Sequence, residues 1–261
     1  MEKFRNAIQV LAQPEHTVRV WFADLNCPAE QVSAIMGILG RDELERAQQF
    51  RFEEHRRRFI VAHGFLRQLL ASHLESDPKA VQFRYESRGK PVLAECSALH
   101  FNLSRSADLA GVAIARGRRV GIDIEVMRAD LDFEGIAGHS FTSSEVKRIS
   151  HVPANRRLAR FYEHWTAKEA YLKAQGLGLS APLDSVELIV RNAKTAPCLR
   201  VRRTRNPARW SLRLFRPFEG TVCAIVAEGS ELRIELADWS PFEGRFSVRH
   251  SLDNPEGASV C

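Results

Sequence analysis

Apolar residues recur along the chain at two spacings, one typical of strands and one typical of helices. Residues 18–25 alternate as a half-buried strand does, whereas residues 53–74 carry apolar residues three and four positions apart, as a long helix does. Further helices are predicted over 28–39, 41–50, 142–151 and 156–175, and further strands over 81–85, 99–104, 109–117, 120–126, 185–191, 198–203, 210–215 and 221–227. The chain is therefore predicted to have an α+β fold.

Helices followed by strands occur twice, which predicts a pseudo-duplicated chain of two similar two-layer α/β halves. The segment LAGVAIARG (109–117) resembles GTVCAIVAEG (220–229), and each closes its half with an apolar strand. The halves are predicted over 1–119 and 120–240, with the active site in the cleft between them, because such clefts commonly bind ligands. Residues 241–261 show little periodicity and are predicted to be a loosely ordered tail.

The charge of the chain predicts a surface that attracts anions. Lys and Arg number 38 and Asp and Glu number 32, so the formal net charge is +6 over 261 residues. A phosphorylated cofactor, an acidic protein and a nucleic acid would each be attracted by this charge. Charge alone therefore does not identify the partner.

The sequence carries no sign of a secreted or membrane protein. Its first residues lack the apolar core of a signal peptide, and no stretch reaches the length of a membrane span. The five cysteines are scattered without the spacing of a zinc site or a disulfide framework. We therefore expect a cytoplasmic protein without membrane contact.

Two carboxylates lie on one face of the predicted strand VGIDIEV (120–126). Side chains alternate along a strand, so Asp123 and Glu125 point to the same side. Most such pairs simply face solvent on a half-buried strand. The alternative is a divalent cation site, because magnesium takes a few carboxylate oxygens together with substrate phosphates. A third nearby acid would favour the cation site.

A third acid occurs in the helix predicted over 156–175. Glu169 and Lys173 are four residues apart and adjacent on the helix surface, and Lys168 directly precedes the acid. A solvated ion pair on an amphipathic helix is one interpretation. In the other, Glu169 binds a metal and the two lysines bind phosphates. Spacing alone leaves both interpretations open.

The segments GIDIE (121–125) and WTAKEAYLK (165–173) closely resemble the signature motifs of the 4′-phosphopantetheinyl transferases, G-[IV]-D-[IV]-E and W-[ST]-x-K-E-[AS]-x-x-K. GKP (89–91) and FNLSRS (101–106) resemble further elements of the larger, surfactin-type branch, which is a pseudo-duplicated monomer. The resemblance implies transfer of the 4′-phosphopantetheine moiety of coenzyme A to a serine of an apo acyl- or peptidyl-carrier protein. It further implies release of 3′,5′-ADP and dependence on Mg²⁺, with Mn²⁺ as a substitute.

The resemblance also implies the roles of the acids and lysines in the two motifs. Asp123, Glu125 and Glu169 match the acids that hold the metal against the pyrophosphate. Lys168 and Lys173 match the lysines beside the pyrophosphate. Glu169, which matches the acid proposed to deprotonate the carrier serine, and Lys173 are the expected catalytic residues.

Further residues match positions that contact coenzyme A. Lys90 matches a residue near the adenine, Ser104 one near the phosphates, and Arg58 an arginine that reaches the 3′-phosphate. Arg105 stands where the family usually has histidine, and an arginine suits phosphate binding better than proton transfer. Basic residues often found ahead of the long helix are poorly matched, and Arg46 is the candidate that compensates for them.

Residues between the two motifs are candidates for carrier binding. Glu145 is predicted to close a capping box with Thr142 at the start of a helix. Carrier proteins tend to be acidic around the modified serine, so Lys147, Arg148 and Arg156 are expected to contribute to docking.

Two other functional classes fit the bare residues. One is a metal-dependent enzyme that cleaves phosphodiesters or transfers nucleotides, and the other is a basic, non-enzymatic protein that binds nucleic acid. The lysine-flanked acid on a helix argues against the first, and the paired motifs argue against the second. The expected partners are coenzyme A and a carrier protein rather than nucleic acid.

Overall fold

A computed structural model of the protein describes residues 16–95, 98–178, 181–189, 197–201, 210–240 and 245–252. The helices are α1 Ala29–Met36, α2 Arg41–Gln48, α3 Glu53–Leu74, α4 Phe133–Ser140, α5 Ser143–Ser150 and α6 Ala154–Gln175. The strands are β1 Thr17–Asp24, β2 Phe83–Tyr85, β3 Pro91–Leu93, β4 Leu99–Ser106, β5 Leu109–Arg116, β6 Val120–Val126, β7 Val186–Ile189, β8 Cys198–Val201, β9 Trp210–Phe215, β10 Thr221–Glu228, β11 Arg233–Ser240 and β12 Arg245–Leu252. The chain has the predicted α+β fold.

The same order of elements occurs twice. One strand, three helices, a short hairpin and two strands run from β1 to β5 and again from β6 to β10. The sheet orders repeat as well, because β5 lies between β1 and β4 and β10 lies between β6 and β9, all antiparallel. The two segments that resemble each other in sequence are therefore the two equivalent central strands, β5 and β10.

The C-terminal strands depart from the sequence prediction. Strand β11 pairs in parallel with β1, and β12 pairs antiparallel with β11, so both extend the sheet of the first half. The prediction of a loose tail is thus wrong for residues 245–252, and residues 233–240 belong with the first half. The pairing satisfies the edge of β1, which would otherwise stay open. Residues 253–261 lie outside the described part of the chain.

Helix α4 was not predicted from the sequence. It contains Gly135 and Gly138, and glycine is a poor helix former. The side chain of Asp132 accepts a hydrogen bond from the amide of Gly135 (3.0 Å) and so caps the helix start. Packing of α4 against Phe141 and Phe161 supplies the remaining stabilisation. None of the helices in the described residues is both long and apolar enough to cross a membrane.

The two halves meet where β4 runs beside β6, and side chains of β4 hold the edge of β6. Three backbone amides of β6 donate to β4 side chains: Ile122 N to Asn102 Oδ1 (2.9 Å), Ile124 N to Ser104 Oγ (3.3 Å) and Val126 N to Ser106 Oγ (3.0 Å). Since β6 is an edge strand, these bonds satisfy amides that its own sheet leaves unpaired. The segment FNLSRS thereby joins the halves.

Gly121 permits β6 and α6 to approach each other closely. A Cβ atom at this position would overlap the carbonyl oxygen of Ala170 and lie 2.5 Å from the amide nitrogen of Ala174. Asp123 is two residues further along the same face of β6. The absence of a side chain at Gly121 therefore allows α6 to lie directly against the carboxylate.

Substitution of alanine at this contact is expected to destabilise the protein. Because the obstructing atoms are backbone, Gly121→Ala should lower the free energy of unfolding by about 2 kcal/mol or more. Gly138→Ala is the matched control, since nothing lies within 4 Å of its added methyl group and alanine favours the helix. Urea unfolding measures both, and equal stability of the two variants would contradict the close approach.

Candidate active site

A buried carboxylate on β6 lies at the centre of the site. Asp123 is 3% exposed, and its Oδ1 accepts hydrogen bonds from Ser104 Oγ (2.9 Å) and Lys173 Nζ (2.5 Å). The lysine also donates to Ser104 Oγ (2.9 Å). Strand β4, strand β6 and helix α6 thus each contribute one of these three side chains.

The second oxygen of this carboxylate is available for a ligand. Asp123 Oδ2 is buried and has no hydrogen-bond partner among the described residues. A buried oxygen that bonds to nothing costs free energy, so an atom of this kind usually has a functional explanation. A cation beside Oδ2 would supply the missing interaction.

Two further acids face the same region. Glu125 Oε2 accepts a hydrogen bond from Ser106 Oγ (2.6 Å), and burial together with the charge of Asp123 raises the pKa of Glu125 to about 7. Burial and the same neighbouring charge raise the pKa of Glu169. Burial also raises the pKa of Asp123, although Lys173 opposes the change. The three carboxylates are thus short of positive charge.

These residues fit a hard divalent cation such as Mg²⁺ or Mn²⁺. Within the described residues, no group of three or more His, Cys, Asp and Glu side chains is already arranged to enclose an ion. Magnesium does not need such a cage, because it binds through one or two carboxylates and completes its shell with phosphate oxygens and water. The unpaired oxygen of Asp123 and the raised carboxyl pKa values are what such an ion would correct.

Lys168 makes no contact with the carboxylates of Asp123, Glu125 and Glu169. Its Nζ is fully buried, donates to Glu145 Oε2 (2.6 Å) and Leu183 O (3.0 Å), and lies 4.6 Å from the centre of the Phe141 ring. Successive residues of a helix point about 100° apart, so Lys168 and Glu169 face different neighbours. This position gives no support to the expected contact of Lys168 with the cofactor, which stays a prediction.

Glu145 has two structural roles, of which the sequence predicted one. The capping box with Thr142 is present at the start of α5, as predicted. In addition, Glu145 Oε1 accepts a hydrogen bond from the amide of Leu188 (2.9 Å), and Oε2 accepts one from the ammonium of Lys168. This buried carboxylate ties α5, α6 and β7 together.

Lys90 also makes a different contact from the expected one. Its ammonium group donates to the carbonyl oxygens of Lys173 (2.7 Å), Val120 (3.1 Å) and Ala174 (3.3 Å), and burial lowers its pKa to about 8. A cation at the C-terminal carbonyls of a helix is stabilising. Lys90 thus fixes the end of α6 against the start of β6, and all three ammonium protons are used.

Arg58 braces the turn between β4 and β5. Its guanidinium donates to both carboxylate oxygens of Asp108, at 2.8 and 3.0 Å, and also contacts Glu54 (2.6 Å). This bond lowers the pKa of the Asp108 carboxyl. The structure therefore places Arg58 near the end of β4, with its charge paired.

Arg105 projects from the opposite face of β4 to its neighbour Ser104. Its Cζ lies 5.5 Å from the centre of the Phe59 ring on α3, and the Cζ of Arg46 on α2 lies 5.9 Å from the same ring. Neither guanidinium is paired with a carboxylate of the described residues. The structure therefore brings together two arginines with charge available for an anion.

Comparison with known proteins decides the family. A profile of the 4′-phosphopantetheinyl transferase superfamily matches residues 119–226, and a profile of the N-terminal part of 4′-phosphopantetheinyl transferases matches residues 26–116. The 4′-phosphopantetheinyl transferase HetI of Nostoc sp. is 37% identical over 215 residues, 81% of this chain and 88% of that protein. The chain belongs to the 4′-phosphopantetheinyl transferase family.

Two further matches share less sequence identity with this transferase. The 4′-phosphopantetheinyl transferase Sfp of Bacillus subtilis is 26% identical over 164 residues, 63% of this chain and 72% of that protein. The crystal structure of Thermotoga maritima holo-[acyl-carrier-protein] synthase matches with a TM-score of 0.37 and 20% identity over 54% of this chain and 84% of that one, too distant a likeness to bear on the site. The family resemblance read from the two motifs is confirmed. The two profiles meet between β5 and β6 of the transferase, where the repeat of elements begins again.

Proposed function

We propose that this transferase moves the 4′-phosphopantetheine moiety of coenzyme A to a serine of an apo acyl- or peptidyl-carrier protein, with Mg²⁺ as cofactor and 3′,5′-ADP as the second product. The observation that supports this most is the buried, unpaired Oδ2 of Asp123 beside the ammonium of Lys173. An unpaired carboxylate oxygen and a neighbouring ammonium group suit a metal-bound pyrophosphate.

The proposed reaction replaces the bridging anhydride oxygen at the β-phosphorus of coenzyme A by the ester oxygen of a serine. The serine Oγ of the carrier attacks this phosphorus, the bond to the bridging oxygen breaks, and 3′,5′-ADP leaves with that oxygen. When bound, Mg²⁺ neutralises charge on the pyrophosphate oxygens. The residues to hold it are Asp123, Glu125 and Glu169.

The protein's own residues position the pyrophosphate and accept the serine proton. Lys173, anchored on Ser104 and Asp123, offers positive charge to the oxygens that become more negative during transfer. Glu169 is the proposed proton acceptor.

The two arginines at Phe59 are the proposed binding groups for the 3′-phosphate. Arg105 and Arg46 have charge available there, whereas Arg58 is bonded to Asp108 through both carboxylate oxygens. The role that the resemblance gave to Arg58 therefore passes to Arg46 and Arg105. Arg105 replaces a histidine whose ring is smaller and whose charge depends on pH.

Mass spectrometry of carrier proteins tests the proposed function. Purified protein with coenzyme A, Mg²⁺ and a panel of apo carriers should add one phosphopantetheine arm to at least one carrier, and EDTA should stop the reaction. Liquid chromatography of the same mixture should show 3′,5′-ADP in equal amount. If every carrier keeps its apo mass while a known transferase modifies the panel, the proposal is wrong.

Carrier docking is proposed to involve exposed basic residues around α5. Lys147 and Arg156 are exposed, whereas Arg148 donates to Glu187 Oε1 (2.7 Å) and Leu188 O (3.1 Å). Charge reversal at Arg148 would break these bonds. A loss of carrier binding in that variant could then arise from a changed fold as well as from a lost docking contact. Lys147 and Arg156 are therefore the residues to test.

The double variant Lys147→Glu, Arg156→Glu is expected to bind its carrier less well. Reversing two charges that face an acidic partner should raise the KM for the carrier about tenfold or more and leave the KM for coenzyme A unchanged. Steady-state kinetics with each substrate varied in turn measures both constants. Lys79→Glu, an exposed reversal on the first half, is the control. An unchanged carrier KM in the double variant would remove α5 from the docking surface.

A further inference from the structure

A histidine on α3 has a carboxylate partner that fixes its protonation pattern. His63 Nδ1 lies 2.8 Å from Glu43 Oε1, and Glu43 is 1% exposed. The other oxygen, Oε2, accepts from Arg67 Nε (2.5 Å) and the amide of Gly40 (2.8 Å). Because the carboxylate only accepts hydrogen bonds here, Nδ1 of the imidazole carries the hydrogen. Nε2 is the nitrogen left to meet a ligand.

This imidazole adjoins the two arginines with available charge. The rings of His63 and Phe59 are stacked, with centroids 4.0 Å apart and planes 26° apart. Arg105 and Arg46 lie against the same Phe59 ring. Helix α2, helix α3 and strand β4 thus each bring one nitrogen-rich side chain to a single aromatic ring.

We infer that His63 is the third member of this anion site and that its protonated Nε2 donates to the 3′-phosphate of coenzyme A. The inference rests on the proposed function. In this inference the histidine that contacts the phosphate lies on α3. The position after Ser104, where the family usually has histidine, is occupied by Arg105. A doubly charged phosphate between two guanidinium groups accepts several charge-assisted hydrogen bonds.

The surroundings of His63 link the protonation of its imidazole to binding of the phosphate. Burial and the charges of Arg105 and Arg46 lower its pKa, while Glu43 acts in the opposite direction. Arg67 neutralises part of the Glu43 charge through the shared carboxylate. A bound phosphate offsets both arginines and so raises the pKa of His63. Binding of the phosphate therefore takes up a proton, and this uptake weakens as the pH rises.

Titration calorimetry with two nucleotides separates this contact from the rest of the site. The ligand 3′,5′-ADP carries the phosphate in question and 5′-ADP lacks it. In His63→Asn, the amide can still donate to Glu43 but does not reach the position of Nε2. His139→Gln, an exposed substitution on α4, is the matched control.

The wild-type protein should bind 3′,5′-ADP about tenfold more tightly than His63→Asn at pH 6 and less than threefold more tightly at pH 8, as expected for one charge-assisted hydrogen bond. Both proteins should bind 5′-ADP equally at either pH. Titrations in two buffers of different ionisation enthalpy should show proton uptake with 3′,5′-ADP that is smaller in His63→Asn. The control should match the wild type throughout.

Three results would overturn the inference, and one further variant checks it independently. Equal affinity of wild type and His63→Asn for 3′,5′-ADP at pH 6 would remove His63 from the site. An equal loss for both nucleotides would assign the effect to lost packing on Phe59. His63→Gln, which places a neutral donor near Nε2, should retain part of the affinity without the pH dependence. If the wild type bound neither nucleotide, the proposed function itself would fail along with the inference.

Discussion

Asp123→Asn is expected to reduce phosphopantetheine transfer by about a thousandfold or more without destabilising the metal-free protein. The amide nitrogen cannot bind a cation, and several kcal/mol of transition-state stabilisation are lost with the ion. The buried carboxylate is itself costly, as its raised pKa shows, so its replacement by a neutral amide removes a charge that the fold disfavours. The amide oxygen still accepts from Ser104 and Lys173.

Three measurements on this variant check the expectation. They are single-turnover transfer, Mg²⁺ binding in the presence of 3′,5′-ADP, and urea unfolding in EDTA. Asp130→Asn, an exposed substitution beside Arg128, is the control and should leave all three unchanged. A variant that lost transfer only because it had unfolded would contradict this account. So would one that retained full Mg²⁺ dependence.

Lys168→Met is expected to lower the free energy of unfolding by about 3–5 kcal/mol. Removal of one member of a buried ion pair leaves the other charge without a partner, and Glu145 is fully buried. Because the Lys168 ammonium bonds to Glu145 and Leu183 and not to the acids proposed to hold the metal, the folded fraction should retain its KM for coenzyme A within about twofold. Urea unfolding and steady-state kinetics measure the two effects separately.

A double-mutant cycle tests the same ion pair. In Lys168→Met, Glu145→Gln the uncompensated charge is gone, so the double variant should be more stable than the sum of the two single losses predicts. Lys147→Met, at an exposed position of α5, is the control for loss of a lysine. A large rise in the KM for coenzyme A with little loss of stability would restore the cofactor role that the family motif implies for Lys168.

The position of Lys168 illustrates what local sequence patterns convey. Phe161, Trp165 and Leu172 share one side of α6, and Lys168 falls on the same side by helical spacing. Periodicity thus contained a signal that this lysine points into the second half. The motif resemblance instead implied that Lys168 lies beside the pyrophosphate. Which of two adjacent charged residues faces the carboxylates is determined by how α6 packs on β6, and Gly121 permits that packing.

Contacts between residues far apart in the sequence were the other features that could not be predicted. The bounds of α3 and β6 follow from the apolar spacing, and the structure confirms them. The union of β11 with β1 joins segments from opposite ends of the chain, and no local pattern reports such a pairing. The anion site at Phe59 is similar, since α2, α3 and β4 contribute to it and only Arg105 and Arg46 were candidates. The sequence alone does not single out His63, because its partner Glu43 is brought near by the packing of α2 on α3.

The parallel pairing of β11 with β1 has a consequence for synthesis of the protein on the ribosome. Strand β1 precedes every other described element in the chain, and its partner β11 is made only after both repeats have been translated. Until then one side of β1 presents unpaired backbone groups, a known hazard for aggregation of nascent chains. The first half therefore completes its sheet last, and a C-terminal truncation before β11 would leave that sheet unfinished.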